Sequence, residues 1–255
     1  MVVLRTKTEI ETLRAAGRVV AETLALVASA ARPGVRLDEL DALAAGAIAA
    51  RGAKPSFLHY LPSWARTPYP GVLCLSVNDV VVHGIPDRRV LRDGDLLSID
   101  CGAHVDGYHG DAAITVPVGA VDAAGRRLAD TAAAALAAGI AAAVPGGRMG
   151  DIGHAIESVS RAAGYGIPSG YGGHGVGTAM HEDPHVPNTG RAGRGLALRE
   201  GLVIAIEPQL CEGGKDRTRV LPDGWAVATV DGSRASHAEH TIAITADGPV
   251  ILTLP

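Results

Sequence analysis

Aromatic residues are scarce in this chain, about 3% of 255 residues with a single Phe, so the few places where they gather carry information. Cysteine is scarce too. Cys74, Cys101 and Cys211 are odd in number and lack C-x-x-C spacing, which excludes a disulfide framework or a zinc finger and fits a reducing, cytoplasmic address. There is no excess of positive charge: 23 Lys and Arg stand against 27 Asp and Glu, net −4. The basic residues are scattered, so no dedicated nucleic-acid surface is expected. No apolar run is long enough to span a bilayer, because the Ala-rich stretch 131–144 is short and interrupted by Gly139. Met1-Val2-Val3-Leu4 is likewise too short for the apolar region of a signal peptide. A regular alternation of strand and helix, with G-x-G-x-x-G after an early strand, is also missing, which disfavours a parallel dinucleotide-binding sheet.

What is present is 47% hydrophobic residues, enough to bury a substantial core in one large domain or two closely packed halves. Thr8 with Glu11 predicts a capping box, and Ile10, Leu13, Gly17, Val20, Leu24 and Val27 follow at helical spacing to the break at Pro33-Gly34. A second helix is expected over 37–51, then an aromatic, Pro-rich loop over 57–71. Strands are expected at 72–77 and 80–82 around an Asn78-Asp79 turn, at 96–100 and at 112–118. The order then restarts. Helices are expected at 122–144 and 150–163, split by Pro145-Gly146-Gly147, and strands at 202–207, 225–230, 240–245 and 250–254.

The restart has a motif. Arg92-Asp93-Gly94-Asp95-Leu96-Leu97-Ser98-Ile99-Asp100 is echoed by Arg199-Glu200-Gly201-Leu202-Val203-Ile204-Ala205-Ile206-Glu207, each an acidic Gly turn feeding an apolar run that ends in an acid. Two such copies imply a pseudo-twofold α+β domain over 1–255, with halves of about 1–120 and 121–255, strands central and helices outside. Asp100 and Asp111 can converge through a hairpin turn at Asp106-Gly107. His174 sits in Gly170-Tyr171-Gly172-Gly173-His174-Gly175-Val176-Gly177, where five glycines clear space around an imidazole. His181 follows seven residues later, Glu207 ends its run before Pro208, and Glu239 opens the run 242–244. Two Asp, two Glu and one imidazole, read as lying at strand ends or tight turns, form a carboxylate-rich set with a single nitrogen donor. Such a set can bridge two divalent ions about 3.5–4 Å apart. Its donors disfavour structural zinc, calcium and magnesium and leave Mn, Fe, Co or catalytic Zn.

These stretches, with Ser76-Val77-Asn78-Asp79, His83-Gly84-Ile85-Pro86, His181-Glu182-Asp183-Pro184 and Glu239-His240-Thr241, resemble the type I methionine aminopeptidases. Those are the smaller creatinase-like metallopeptidases of the pita-bread fold. The resemblance implies that Asp100, Asp111 and Glu239 hold one ion and Asp111, His174, Glu207 and Glu239 the other, with a water between them attacking the carbonyl of an N-terminal Met. It implies that Glu207 also shuttles the proton to the leaving amine, that His181 hydrogen-bonds the scissile carbonyl and that His83 contacts the leaving amide. Tyr69, Cys74, Met180 and Trp225 fall at or near its pocket positions, and His109 is read as orienting a carboxylate. The implied substrate is the N-terminal peptide of newly made proteins, with a small second residue preferred; a monomer is expected, because no heptad or exposed strand signal argues otherwise. No extra N-terminal docking module is expected.

Three stretches depart from the pattern: 61–67 reads as an insertion beside the pocket, Met180 stands where an aromatic is usual, and His237-Ala238 replaces Gln and an aromatic before Glu239. They leave two other readings to weigh, an Xaa-Pro peptidase on the same fold and a metal-free binding protein. The second requires loss of a ligand, and none is missing.

Overall fold

In a computed structural model, residues 2–255 are described and arrange themselves as two copies of one motif around a shared sheet. The first half runs α1 (Lys7–Ala30), α2 (Leu37–Ala50), β1 (Lys54–Pro55), β2 (Leu73–Val77), β3 (Val80–Val82), β4 (Leu96–Val105) and β5 (Tyr108–Pro117). The second runs α3 (Ala123–Ala142), α4 (Met149–Ala162), β6 (Gly172–Gly175), β7 (Glu182–Pro187) and β8 (Val203–Ile206). It continues through β9 (Gln209–Cys211), β10 (Thr218–Val220), β11 (Val227–Thr229), β12 (Ala235–His237), β13 (Glu239–Thr245) and β14 (Gly248–Ile251). No helix among the described residues is long and apolar enough to cross a membrane.

The main sheet has the antiparallel order β1-β4-β5-β13-β8-β6-β7, with β2 also on β4 and β14 on β13. The trio β2-β4-β5 therefore faces the trio β6-β8-β13 across the β5–β13 seam. The duplication extends to the entries of the second helix of each half. Gly34 N–H donates to Leu91 O at 2.9 Å and Leu91 N–H to Val35 O at 2.8 Å; Gly146 and Leu198, then Leu198 and Gly147, repeat the exchange at 2.9 Å each. The backbone N–H of Arg36 donates to Glu39 and that of Arg148 to Asp151, in matching helix caps.

Each half has its own apolar core on the helical side of the sheet. Val20, Leu24, Leu40 and Ile48 pack on Leu73, Leu97 and Ile99, and Leu128, Leu136, Ile152 and Ile156 on Ile204, Ile206 and Ile242. A fully buried side chain of this size contributes about 1.5–3 kcal/mol relative to exposure.

Three local expectations change. The N-cap of α1 is Thr6, not Thr8: Thr6 and Glu9 hydrogen-bond reciprocally, and the overlapping Thr8-x-x-Glu11 lies inside the helix. Strand β4 does not stop at Asp100. Its residues 96–103 are all buried, so the chain stays paired with β5 to the Asp106-Gly107 turn, where φ values of 50° and 81° suit a tight hairpin. His174 lies within a strand rather than in a tight turn, because β6 pairs with β7 and β8.

Candidate metal centre

The seam brings the acids together. Asp100 pairs in register with Cys74 and Ala113, Asp111 with Gly102, and Glu239 with Ala113. These mid-sheet positions correct the expectation of strand ends for Asp100 and Asp111. Thr241 Oγ1 clamps the seam, donating to Asp111 O at 2.8 Å and lying 3.1 Å from Asp111 N. Glu207 follows β8 directly. Its carbonyl accepts from Asn188 Nδ2 at 3.0 Å and its carboxylate from Gln209 Nε2 at 2.5 Å, while Asn188 also donates to Gln209. That chain of amides orients Glu207, and neither amide was singled out from sequence.

His174 enters from the glycine-rich strand. A Cβ on Gly173 would lie 2.0 Å from Ala205 O, so only glycine lets β6 approach β8 closely enough to deliver the imidazole. His174 Nδ1 lies 2.9 Å from Gly175 O, an arrangement in which Nδ1–H donates and Nε2 is left as a lone-pair donor toward the acids. Nε2 stands 3.5 Å from Asp111 Oδ2 and 3.7 Å from Glu207 Oε1.

A second imidazole is present. His237 Nε2 lies 3.4 Å from Glu207 Oε2 and 3.8 Å from Glu239 Oε2. Sequence reasoning noted this residue only as a departure, although a His two residues before an acid in an extended chain reaches the same side. His109 Nδ1 is 2.8 Å from Ser56 Oγ.

Burial makes this cluster costly without a cation. Desolvation first, and then mutual repulsion, push Asp100 and Glu239 well above the usual carboxylate range. Asp111 is also raised, by burial, against the opposing pull of His174. Asp100 Oδ1, Asp111 Oδ1, Glu239 Oε1 and His237 Nε2 are buried without a hydrogen-bond partner, and native folds rarely leave such groups unsatisfied. Donor atoms of Asp111, His174 and Glu239 lie within 4.8 Å of one another, as do those of Asp100, His237 and Glu239. The residues present therefore fit divalent cations.

The centre opens into a cavity of about 810 Å3, within the usual range for small-molecule sites. Tyr69, Cys74 and Trp225 stand on its wall. The unanticipated Phe57 also lines the cavity, while Met180 belongs to the same apolar cluster but lies behind the wall, and both are near enough to Gly102 that a Cβ there would meet them. His83, with φ of 60°, and His181 face the cavity. Burial lowers His83 to about 4 and, with help from the nearby His174, lowers His181 to about 2, so both are neutral at physiological pH. The aromatic loop covers them. Tyr60 stacks on His181 with ring centroids 5.2 Å apart, and Trp64 on His83 at 6.0 Å.

Comparison with known proteins gives consistent matches. The profile of Metallopeptidase family M24 matches residues 11–246. Methionine aminopeptidase 1 of Mycobacterium tuberculosis is 51% identical over 98% of this chain and 94% of its own length. Methionine aminopeptidase of Aquifex aeolicus is 46% identical over 98% of each. The crystal structure of methionine aminopeptidase from Thermotoga maritima superposes with a TM-score of 0.96 at 40% identity, covering all of both chains.

Proposed function

The chain belongs to metallopeptidase family M24, and from that premise we infer that it removes the N-terminal methionine from nascent proteins and peptides with divalent metal as cofactor. Its fold is the duplicated pita-bread arrangement. The observation that carries the reading is the gathering of Asp100, Asp111, His174, Glu207 and Glu239 around one cavity, in a chain that aligns nearly end to end with methionine aminopeptidases.

In this reading the 255 residues act as one catalytic domain, and those five residues would hold two divalent ions (Mn, Fe, Co or Zn), with Asp111 and Glu239 serving both. Bound cations polarise a carbonyl and bring the pKa of water toward neutrality. The remaining work falls to the protein. Tyr69, Cys74 and Trp225 receive the apolar side chain of Met, with Met180 packed behind them. Tyr69 is held by its hydroxyl, 2.7 Å from Gly84 O and 3.0 Å from Leu73 O. Glu207 has the most accessible side chain of the acids around His174 and His237, at 15% against 5% for Asp111 and 2% for Glu239. It is the group placed to take a proton from water and return it to the departing amine. Neutral His181 and His83 offer N–H groups to the scissile carbonyl and the leaving amide, where negative charge develops. The enzyme works as a cytoplasmic monomer, and a small second residue is preferred.

Purified protein given Mn, Co, Fe and Zn in turn is expected to hydrolyse Met-Ala-Ser and leave Xaa-Pro peptides intact. Cleavage of Xaa-Pro instead would select the other peptidase reading, and no hydrolysis with any metal would favour a binding protein.

The inserted loop sets the second-residue preference. Trp64 stacks on His83 and meets Trp225 edge-on at 5.0 Å, while Trp225 Nε1 donates to Thr67 O at 3.1 Å, which staples the loop to the pocket. Removing this wall with Trp64→Ala is expected to shrink the ratio of kcat/KM for Met-Ala-Ser over Met-Leu-Ser by about 10-fold, the low end of what a lost apolar contact gives. An unchanged ratio would leave Trp64 as mere loop packing.

A further inference from the structure

We propose that His237 is a metal ligand, its Nε2 binding the ion held by Asp100 and Glu239, so that each of the two ions receives one imidazole. This rests on the metallopeptidase reading and adds to it a nitrogen donor on the otherwise all-oxygen side of the cage.

Four observations carry it. His237 is 2% exposed, and its Nε2 is buried with no hydrogen-bond partner although two carboxylates adjoin it. The separations of 3.4 and 3.8 Å are too long for the hydrogen bonds that such a pair would make, normally about 2.7–3.2 Å. The donor atoms of Asp100, His237 and Glu239 all lie within 4.8 Å of one another, close enough for one ion to draw them in, since donors each about 2.0–2.2 Å from a metal stand roughly 3–3.5 Å apart. His174 keeps comparable distances, 3.5 and 3.7 Å, on the other side.

The backbone of His237 is also fixed. Its N–H donates to Thr115 Oγ1 at 3.0 Å, and its carbonyl accepts from the same hydroxyl at 2.8 Å. In the β12–β9 ladder it pairs with Gln209, the residue whose amide orients Glu207. A ring so anchored is preorganised toward the acids rather than free to turn away.

A second imidazole has a chemical consequence. Nitrogen donors favour Co, Fe and Zn over Mn more strongly than carboxylates do, so His237 biases the cage away from Mn.

The test uses the full-length chelated protein. Calorimetric titration with Zn2+, Co2+ and Mn2+ is paired with NMR of 15N-histidine-labelled protein loaded with 113Cd2+, in which a cadmium–nitrogen coupling reports a direct bond. Two histidine Nε2 signals coupled to cadmium are expected, one vanishing in His174→Ala and the other in His237→Gln. His237→Gln is also expected to weaken one binding step by about 10–100-fold, more for Zn2+ and Co2+ than for Mn2+. A single coupled histidine in the unaltered protein, which needs no variant to fold, would overturn the proposal. Retained hydrolysis of Met-Ala-Ser alongside that result would leave the enzyme reading standing. Failure to bind any metal in either measurement would overturn both.

Discussion

Glu207→Gln is expected to lower kcat/KM for Met-Ala-Ser by at least about 10²–10⁴, the range supplied by a positioned general base. The replacement keeps the shape and keeps an oxygen that can accept from Gln209 Nε2, which now donates to Glu207 at 2.5 Å. It removes the charge and the capacity to accept a proton. Because Glu207 also lies 3.7 Å from His174 Nε2, metal content must be measured beside the rate. A variant that retains its metal and loses turnover identifies proton transfer as the missing step, while one that loses metal identifies a ligand. Full activity would remove Glu207 from the chemistry altogether.

Chelation is expected to reverse the pH dependence of stability around the centre. Asp100, Asp111 and Glu239 are all raised in the folded protein, first by burial. The fold therefore binds their protons more tightly than the unfolded chain, whose carboxylates titrate near 4. Stability from these groups is fully present below that unfolded value and is lost as pH rises through the raised folded values. Metal-free protein should accordingly gain thermal stability as pH falls from about 7 toward 5. Metal-loaded protein should show the opposite trend there, since protons compete with the cations. At neutral pH, a metal present at 100 times its Kd adds about 2.7 kcal/mol, roughly 5–10 °C in Tm for a domain of this size. Scanning calorimetry with and without chelator reads both trends. Parallel pH profiles would mean that the acids are not jointly responsible for holding the cation.

How much of this was legible beforehand varies with sequence separation. The helices and the repeat of Arg92–Asp100 in Arg199–Glu207 were readable because periodicity and turn chemistry are local. The position of Asp100 within β4 was misread because an acid after an apolar run looks like a terminus; Cys101 and Ala103 continue the buried strand beyond it. His174 was recognised by its glycines, yet the reason for them, the approach of Gly173 to Ala205 O, needs a partner strand distant in sequence. His237 was visible as an oddity and not as a donor. Its meaning depends on Glu207, thirty residues away and brought to it by the Gln209 pairing. The aromatic loop was located correctly, but nothing local assigns Tyr60 to His181 or Trp64 to His83.

The seam between β5 and β13 is short, with only Glu239–Ala113 and His240–Ala112 in register, and it is where the acids meet. Asp100 and Asp111 come from one half, and His174, Glu207 and Glu239 from the other, so neither half owns a complete set of donors. In the present chain this geometry would make cation capture depend on assembly, because the donor set is complete only when the two halves are docked in register.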